Sequence, residues 1–206
     1  MSDKMAEGHL PVGEMIRRLR EGAGISRAQL AERSGVSEDE LLQIETQMIS
    51  PALGILTRIC DGLGVGLGHF FQYGPRKMIS VVRASDAKVG TRFASKNGAD
   101  HGYEYISLGA EKRSRVMEPF LIIIDPASDP SGRLGKIEER FGTHKGEEFI
   151  YVLEGQIKVD VKEESFILGP GDSIYYDAST PHRVLHYGKE QSKVLAVIHI
   201  PREIKV

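Results

Sequence analysis

Ser26-Arg27-Ala28-Gln29-Leu30-Ala31-Glu32-Arg33-Ser34-Gly35-Val36-Ser37-Glu38-Asp39-Glu40-Leu41 holds two helix starts and one helix stop in quick succession. Ser26 followed three residues on by Gln29 is a capping box, in which hydroxyl and amide each satisfy a backbone N–H that the first helical turn leaves open. Leu30 and Ala31 face inward, and Gly35 supplies the left-handed backbone that closes the helix. Ser37 opens the next helix with Glu40 at its third position, and Leu41 and Ile44 form its buried stripe. A tight helix, turn, helix pair from Ser26 to Gln47 is the geometry in which a second helix stands in a DNA major groove.

Working outward, Met15, Ile16 and Leu19 mark a preceding helix that ends at Gly22 and Gly24. After Pro51 a fourth helix carries Leu53, Leu56, Ile59, Cys60 and Leu63 as far as Gly64, and a short fifth ends in Phe70-Phe71. The glycines between Gly62 and Gly68 follow a helix rather than a strand, so a dinucleotide-binding reading fails on context. Beyond Gly74-Pro75-Arg76-Lys77 the pattern changes to short β-rich runs broken by Gly, Pro and Asp. The expected strands are 79–84, 103–108, 120–125, 149–153, 156–161, 165–168, 173–176, 184–186 and 194–200, with a hairpin signal at Glu154-Gly155 and a tight turn at Gly169-Pro170-Gly171-Asp172. The organisation read from this is a helical domain over residues 1–73, a linker over 74–78 and a sandwich or barrel over 79–206.

Ile16-Arg17-Arg18-Leu19-Arg20, Ile25 to Ala31, Ser34-Gly35-Val36-Ser37, Gln43-Ile44-Glu45 and Pro51 with Leu56, Leu63-Gly64 and Phe70-Phe71 resemble the five-helix domain of the XRE, or lambda-repressor-like, helix-turn-helix regulators. The resemblance implies a buried Arg20–Glu45 ion pair tying the first helix to the third. It also implies DNA contacts from Arg27 on the second helix and from Ser37, Glu38, Asp39 and Gln43 on the third. Arg27 and Gln43 are suitable readers, whereas the carboxylates Glu38-Asp39-Glu40 face a polyanion and could accept only from a cytosine amino group.

Gly142-Thr143-His144-Lys145-Gly146-Glu147-Glu148 with its following strand, and Leu168-Gly169-Pro170-Gly171-Asp172-Ser173 leading to Thr180-Pro181-His182-Arg183, resemble the paired motifs of the cupin superfamily, a double-stranded β-helix or jelly-roll barrel. By that resemblance His144, Glu148 and His182 are metal ligands, Gly142 stands where the first His is expected, and His186 replaces a usual Asn. Two imidazoles and a carboxylate suit a divalent Fe, Zn, Ni or Mn. Strand alternation puts His186 on the His182 face and pairs Tyr103 with Tyr105, so all three are candidates for a ligand pocket. Arg113 and Arg115 read as a solvated loop, and Cys60 as core.

The combined layout resembles bacterial regulators in which a cupin senses a small effector and the helices, in a homodimer, bind operator DNA. It is also similar to that of the hydroxypropylphosphonate epoxidases, non-haem iron oxygenases with a two-His, one-Glu site. Against that activity, Gly24 stands at their substrate-binding Lys and Phe141 at a pocket Asn. Among 206 residues, 27 Lys and Arg against 29 Asp and Glu give a net charge of −2, and 40% are hydrophobic. That is enough for real cores and excludes disorder as the main state. The lone Cys60, the lack of an apolar run near the roughly 20 residues of a membrane helix, and an N-terminus without signal-peptide character point to a cytoplasmic protein. Residues 1–74 hold seven basic and ten acidic side chains, net −3, the sign opposite to most DNA-binding modules.

Overall fold

The computed structural model describes residues 11–71, 77–84, 103–112, 114–126, 141–199 and 201. Four α-helices come first: α1 (Val12–Gly22), α2 (Arg27–Ser34), α3 (Glu38–Glu45) and α4 (Leu53–Leu63). The caps form as their residue types dictate. Ser26 and Gln29 make both bonds of the capping box, the Ser37 hydroxyl accepts from the Glu40 N–H, and Gly35 and Gly64 close α2 and α4 in left-handed backbone. The expected fifth helix is instead a single 3-10 turn, Leu67–His69, before the fully buried Phe70 and Phe71.

Glu45 is the centre of the helical packing. Its Oε1 accepts from Arg20 Nε at 2.6 Å and its Oε2 from Arg20 Nη2 at 2.9 Å, so α1 is tied to α3 by a bidentate pair. The side chain of Glu45 is only 1% exposed, which makes that pairing obligatory.

Among the described residues eight antiparallel strands follow: β1 (Tyr103–Ser107), β2 (Met117–Ile124), β3 (Glu147–Glu154), β4 (Gln156–Val161), β5 (Glu164–Leu168), β6 (Ser173–Asp177), β7 (His182–Tyr187) and β8 (Ser192–His199). They form one sheet in the order β1-β2-β8-β3-β6 and a second in the order β5-β4-β7. Alternation is clean where a strand covers the core: Ser192, Val194, Ala196 and Ile198 of β8 are buried, with half-buried residues between them. Residues 79–84 do not form the expected strand. Ile79 and Val81 are largely exposed, and the nearest described pairing is an isolated bridge between Lys77, just before the segment, and Lys112, so its apolar residues have no sheet face to cover.

Helices and barrel share one hydrophobic core. Phe71 stacks edge-on against Phe120 and Tyr105, with ring centroids 4.6 and 6.2 Å away. Ser50 Oγ donates to the Tyr103 carbonyl at 2.7 Å, and Tyr105 Oη donates to the Pro51 carbonyl at 3.2 Å. Arg115, expected on a solvated loop, is instead a crosslink: its guanidinium binds Glu118 and the carbonyls of Gly109, Ala110 and Gly68. Arg113 lies outside the described residues. Cys60 is buried in α4, as its place in the apolar stripe requires. No described helix is long and apolar enough to cross a membrane.

Candidate metal centre

His144, Glu148 and His182 are brought together from three separate segments. Glu148 is the second residue of β3, held opposite Tyr176 of β6, and His182 opens β7. His144 lies on the loop before β3, which is pinned to the start of β7 by reciprocal backbone bonds between Gly142 and His182 and by the His144 N–H on the Ala178 carbonyl. All three side chains are buried, and one ligand atom from each lies within 4.8 Å of the others.

The hydrogen bonds around the triad aim it inward. Nδ1 of His182 is 2.8 Å from the Thr180 carbonyl, and Nδ1 of His144 is 3.3 Å from the Lys145 carbonyl. A carbonyl only accepts, so each Nδ1 carries its proton, and in the neutral ring each Nε2 presents a lone pair. Both Nε2 atoms face Glu148 Oε2 at 3.6 Å, beyond hydrogen-bond length. His144 Nε2 is buried with no hydrogen-bond partner. An orphaned imidazole nitrogen beside a carboxylate, with its other nitrogen fixed by a carbonyl, is the donor pattern that fits a divalent cation.

Charge is balanced within the group. Burial opposes ionisation of Glu148, yet His144, His182 and the Tyr176 hydroxyl hold its pKa below the usual carboxylate range. Burial prevails at His182 and lowers its pKa, whereas at His144 the neighbouring carboxylate outweighs burial and raises it. Tyr176, pushed up by burial and by that same carboxylate, stays neutral and donates to Glu148 Oε2 at 2.8 Å. Tyr176 was not singled out from the sequence, because its register opposite Glu148 depends on the pairing of β6 with β3.

The remaining pocket candidates bond to backbone carbonyls. His186 shares a face with His182 but lies four residues along β7, about 13 Å at the ordinary strand rise, with Nε2 on the Glu190 carbonyl. It does not join the triad. Tyr103 and Tyr105 are stacked, and their hydroxyls donate to the carbonyls of Val184 and Pro51, which ties β1 to β7 and to the approach of α4. Gly142, at the position of the missing His, faces α4: a Cβ there would stand 3.6 Å from Gly54 Cα. A Cβ on Gly54 would in turn stand 3.9 Å from His182 Nε2, so the first turn of α4 lies directly over the triad.

On the helical domain, Glu38 and Asp39 are exposed, Gln43 donates to Asp39 at 2.7 Å, and Ser37 is occupied as a cap. Arg27 Nη2 binds Glu45 Oε2 at 3.0 Å with its side chain 28% exposed, so its charge is shared with the structural ion pair.

Residues 12–69 match the helix-turn-helix domain family and residues 135–198 the cupin domain family. The chain thus carries a helix-turn-helix domain followed by a cupin domain, and along most of its length it is similar to helix-turn-helix transcriptional regulators. It is 24% identical to the HTH-type transcriptional regulator PuuR of Escherichia coli strain K12, over 86% of this chain and 89% of that protein. A crystal structure of an HTH_3 family transcriptional regulator from Vibrio cholerae overlaps 93% of this chain and 96% of its own at a TM-score of 0.58 and 22% identity. Hydroxypropylphosphonic acid epoxidase from S. wedmorenis overlaps 90% of this chain and 95% of its own, at a TM-score of only 0.41 and 23% identity. The helix-turn-helix cupin architecture is thus shared with regulators along nearly the whole chain.

Proposed function

We propose that this helix-turn-helix cupin protein is a cytoplasmic, homodimeric DNA-binding regulator whose barrel senses a small-molecule effector through a divalent metal held by His144, Glu148 and His182. The observation that carries the reading is the position of α4. A helix of the DNA-binding domain roofs the triad, so whatever enters the barrel mouth meets both domains at once. Tyr176 and the carbonyls of Thr180 and Lys145 orient the three ligands, and the metal would supply a Lewis-acidic anchor for an effector. Gln43, Ser37, Glu38, Asp39 and Arg27 form the face offered to DNA, with α3 as the reading helix. An effector that contacts α4 differently in two domain arrangements shifts the balance between them, and with it the spacing of the two α3 helices in the dimer.

Elemental analysis of purified protein, beside His144→Ala, tests the centre: wild type carries a first-row metal and the variant loses it. Equal, negligible metal in both would sink this part of the reading. A gel shift with the DNA upstream of its own gene, at low salt, tests the other half, and no shift at micromolar protein would remove the operator.

The same open two-His, one-Glu donor set supports a second reading as a mononuclear non-haem iron oxidase. Gly24, at the position of the epoxidase Lys, is exposed, and Phe141 lies under Arg183. Oxygen uptake with ferrous iron and small organic acids decides between the two, and turnover in any combination favours the enzyme.

A further inference from the structure

A second site is built between the domains. Arg33 and Ser34 of α2, Arg58 and Asp61 of α4, and Thr143, His144, Lys145 and Ser179 of the barrel line a cleft of about 310 Å³. That volume is at the lower end for small-molecule sites and far too small for a macromolecular partner. Three cations face one carboxylate. Two of the seven basic residues in the acidic helical segment are spent here, where the segment's overall charge gives no reason to gather them.

The hydroxyls do not set the chemistry. Ser34 Oγ donates to the Leu30 carbonyl and Ser179 Oγ to Asp177, so their protons are committed. Arg58 Nη1 also reaches the Gly35 carbonyl at 3.5 Å, and the guanidinium forks and the ammonium, each with several donors, match carboxylate and phosphate oxygens. His144 forms part of the wall, beside Lys145 whose carbonyl orients it, so the cleft runs up to one ligand of the metal triad.

We infer that this cleft binds a small organic anion with at least two negative groups, a dicarboxylate or a phosphorylated metabolite, clamped by Arg33 and Arg58 of the helical domain and Lys145 of the barrel. Such an anion joins α2, the first helix of the helix-turn-helix pair, to the loop that positions His144. The inference rests on the sensing role proposed above and adds to it a second ligand site beside the metal centre, one whose anion binding requires neither metal nor DNA.

Isothermal titration of the full chain at low ionic strength, with succinate and inorganic phosphate as separate probes, tests it and distinguishes the two anion classes. One saturable site per chain is expected for at least one probe, weakened at least about tenfold by Arg33→Gln with Lys145→Gln, the loss of charged hydrogen bonds. These two residues are exposed, so folding should survive, and circular dichroism verifies it. Arg17→Gln, on the exposed face of α1, should leave binding unchanged. His182→Ala removes a triad residue but none lining the cleft, and should also retain it. Absence of saturable binding by both probes, equal weakening by Arg17→Gln, or loss of binding in His182→Ala would each overturn the inference. The last outcome would place the probe on the metal. Failure here leaves the metal and gel-shift results intact, so the two readings fall separately.

Discussion

Glu45 answers two arginines with one buried carboxylate. Replacing it by Ala leaves the Arg20 guanidinium, whose side chain is only 9% exposed, without its bidentate partner. The expected cost in urea unfolding is about 3–5 kcal/mol, the range for breaking a buried pair from one side. Arg20→Met with Glu45→Leu, which removes both charges, should recover much of that loss, and no recovery would mean the pair is more than a structural tie. Asp160 of β4 carries a second, titratable crosslink. It accepts from Ser165 of β5 and from Arg183 of β7, each at 2.6 Å, so the three-stranded sheet is held through one side chain. Burial works against its charge, but Ser165 and Arg183 prevail and depress its pKa. A depressed acid stabilises the fold fully above the unfolded pKa, near 3.9, and loses that contribution as pH falls through the folded value. Asp160→Asn should therefore cost about 1–2 kcal/mol at pH 7, with the gap to wild type closing below pH 4. A gap that stays constant from pH 7 to pH 3 would contradict the assignment. At this scale the sequence was legible where one chemical type has one use: Ser26, Ser37 and Gly35 could be read directly. Arg27 could not, because a guanidinium that meets a phosphate and one that meets Glu45 look the same along the chain.

Element positions depend on close approaches that side-chain patterns do not record. Gly13 of α1 lies against α3 so closely that a Cβ would fall 2.0 Å from the Ile44 carbonyl oxygen. Backbone cannot yield as a side chain tip can, so Gly13→Ala must push α1 away from α3 and strain the Arg20–Glu45 tie. We expect a loss of about 1–3 kcal/mol, the usual cost of overpacking, measurable as a lower urea midpoint. Gly22→Ala at the other end of α1 meets nothing within 4 Å and serves as the control, expected near neutral. The helical stripes and most strands were visible because their periods of 3.6 and 2 survive in any context. Residues 79–84 were misread for the complementary reason: alternating apolar residues make a strand only when a sheet edge receives them. Sheet order was not legible at all. β8 threads between β2 and β3, and that placement, together with β6 beside β3, sets Tyr176 against Glu148 and completes the triad.

At the scale of the whole molecule, the two halves named from composition turn out to be one packed body. Their shared core runs through Phe71, Tyr105 and Phe120, and α4 touches the barrel at the triad itself. The cupin motifs showed which residues would meet, and the missing His at Gly142 showed only a gap; that α4 fills the adjacent space could not be read from either domain alone. Charge has the same long-range character. Of the seven basic residues in the helical segment, Arg20 and Arg27 engage Glu45, Arg18 engages Glu14, and Arg33 and Arg58 line the interdomain cleft. Arg17 remains on the described surface, with Lys4 outside the described residues, while Glu38 and Asp39 are exposed on α3. In the dimer proposed above, this arrangement should neutralise about two to four phosphates, giving a salt slope near −2 to −4 and a loss of roughly 20- to 250-fold in affinity between 50 and 200 mM salt. Fluorescence anisotropy on an operator fragment across that range measures it. A slope steeper than about −6 would require cations this arrangement does not offer, and would place the DNA on another face of the protein.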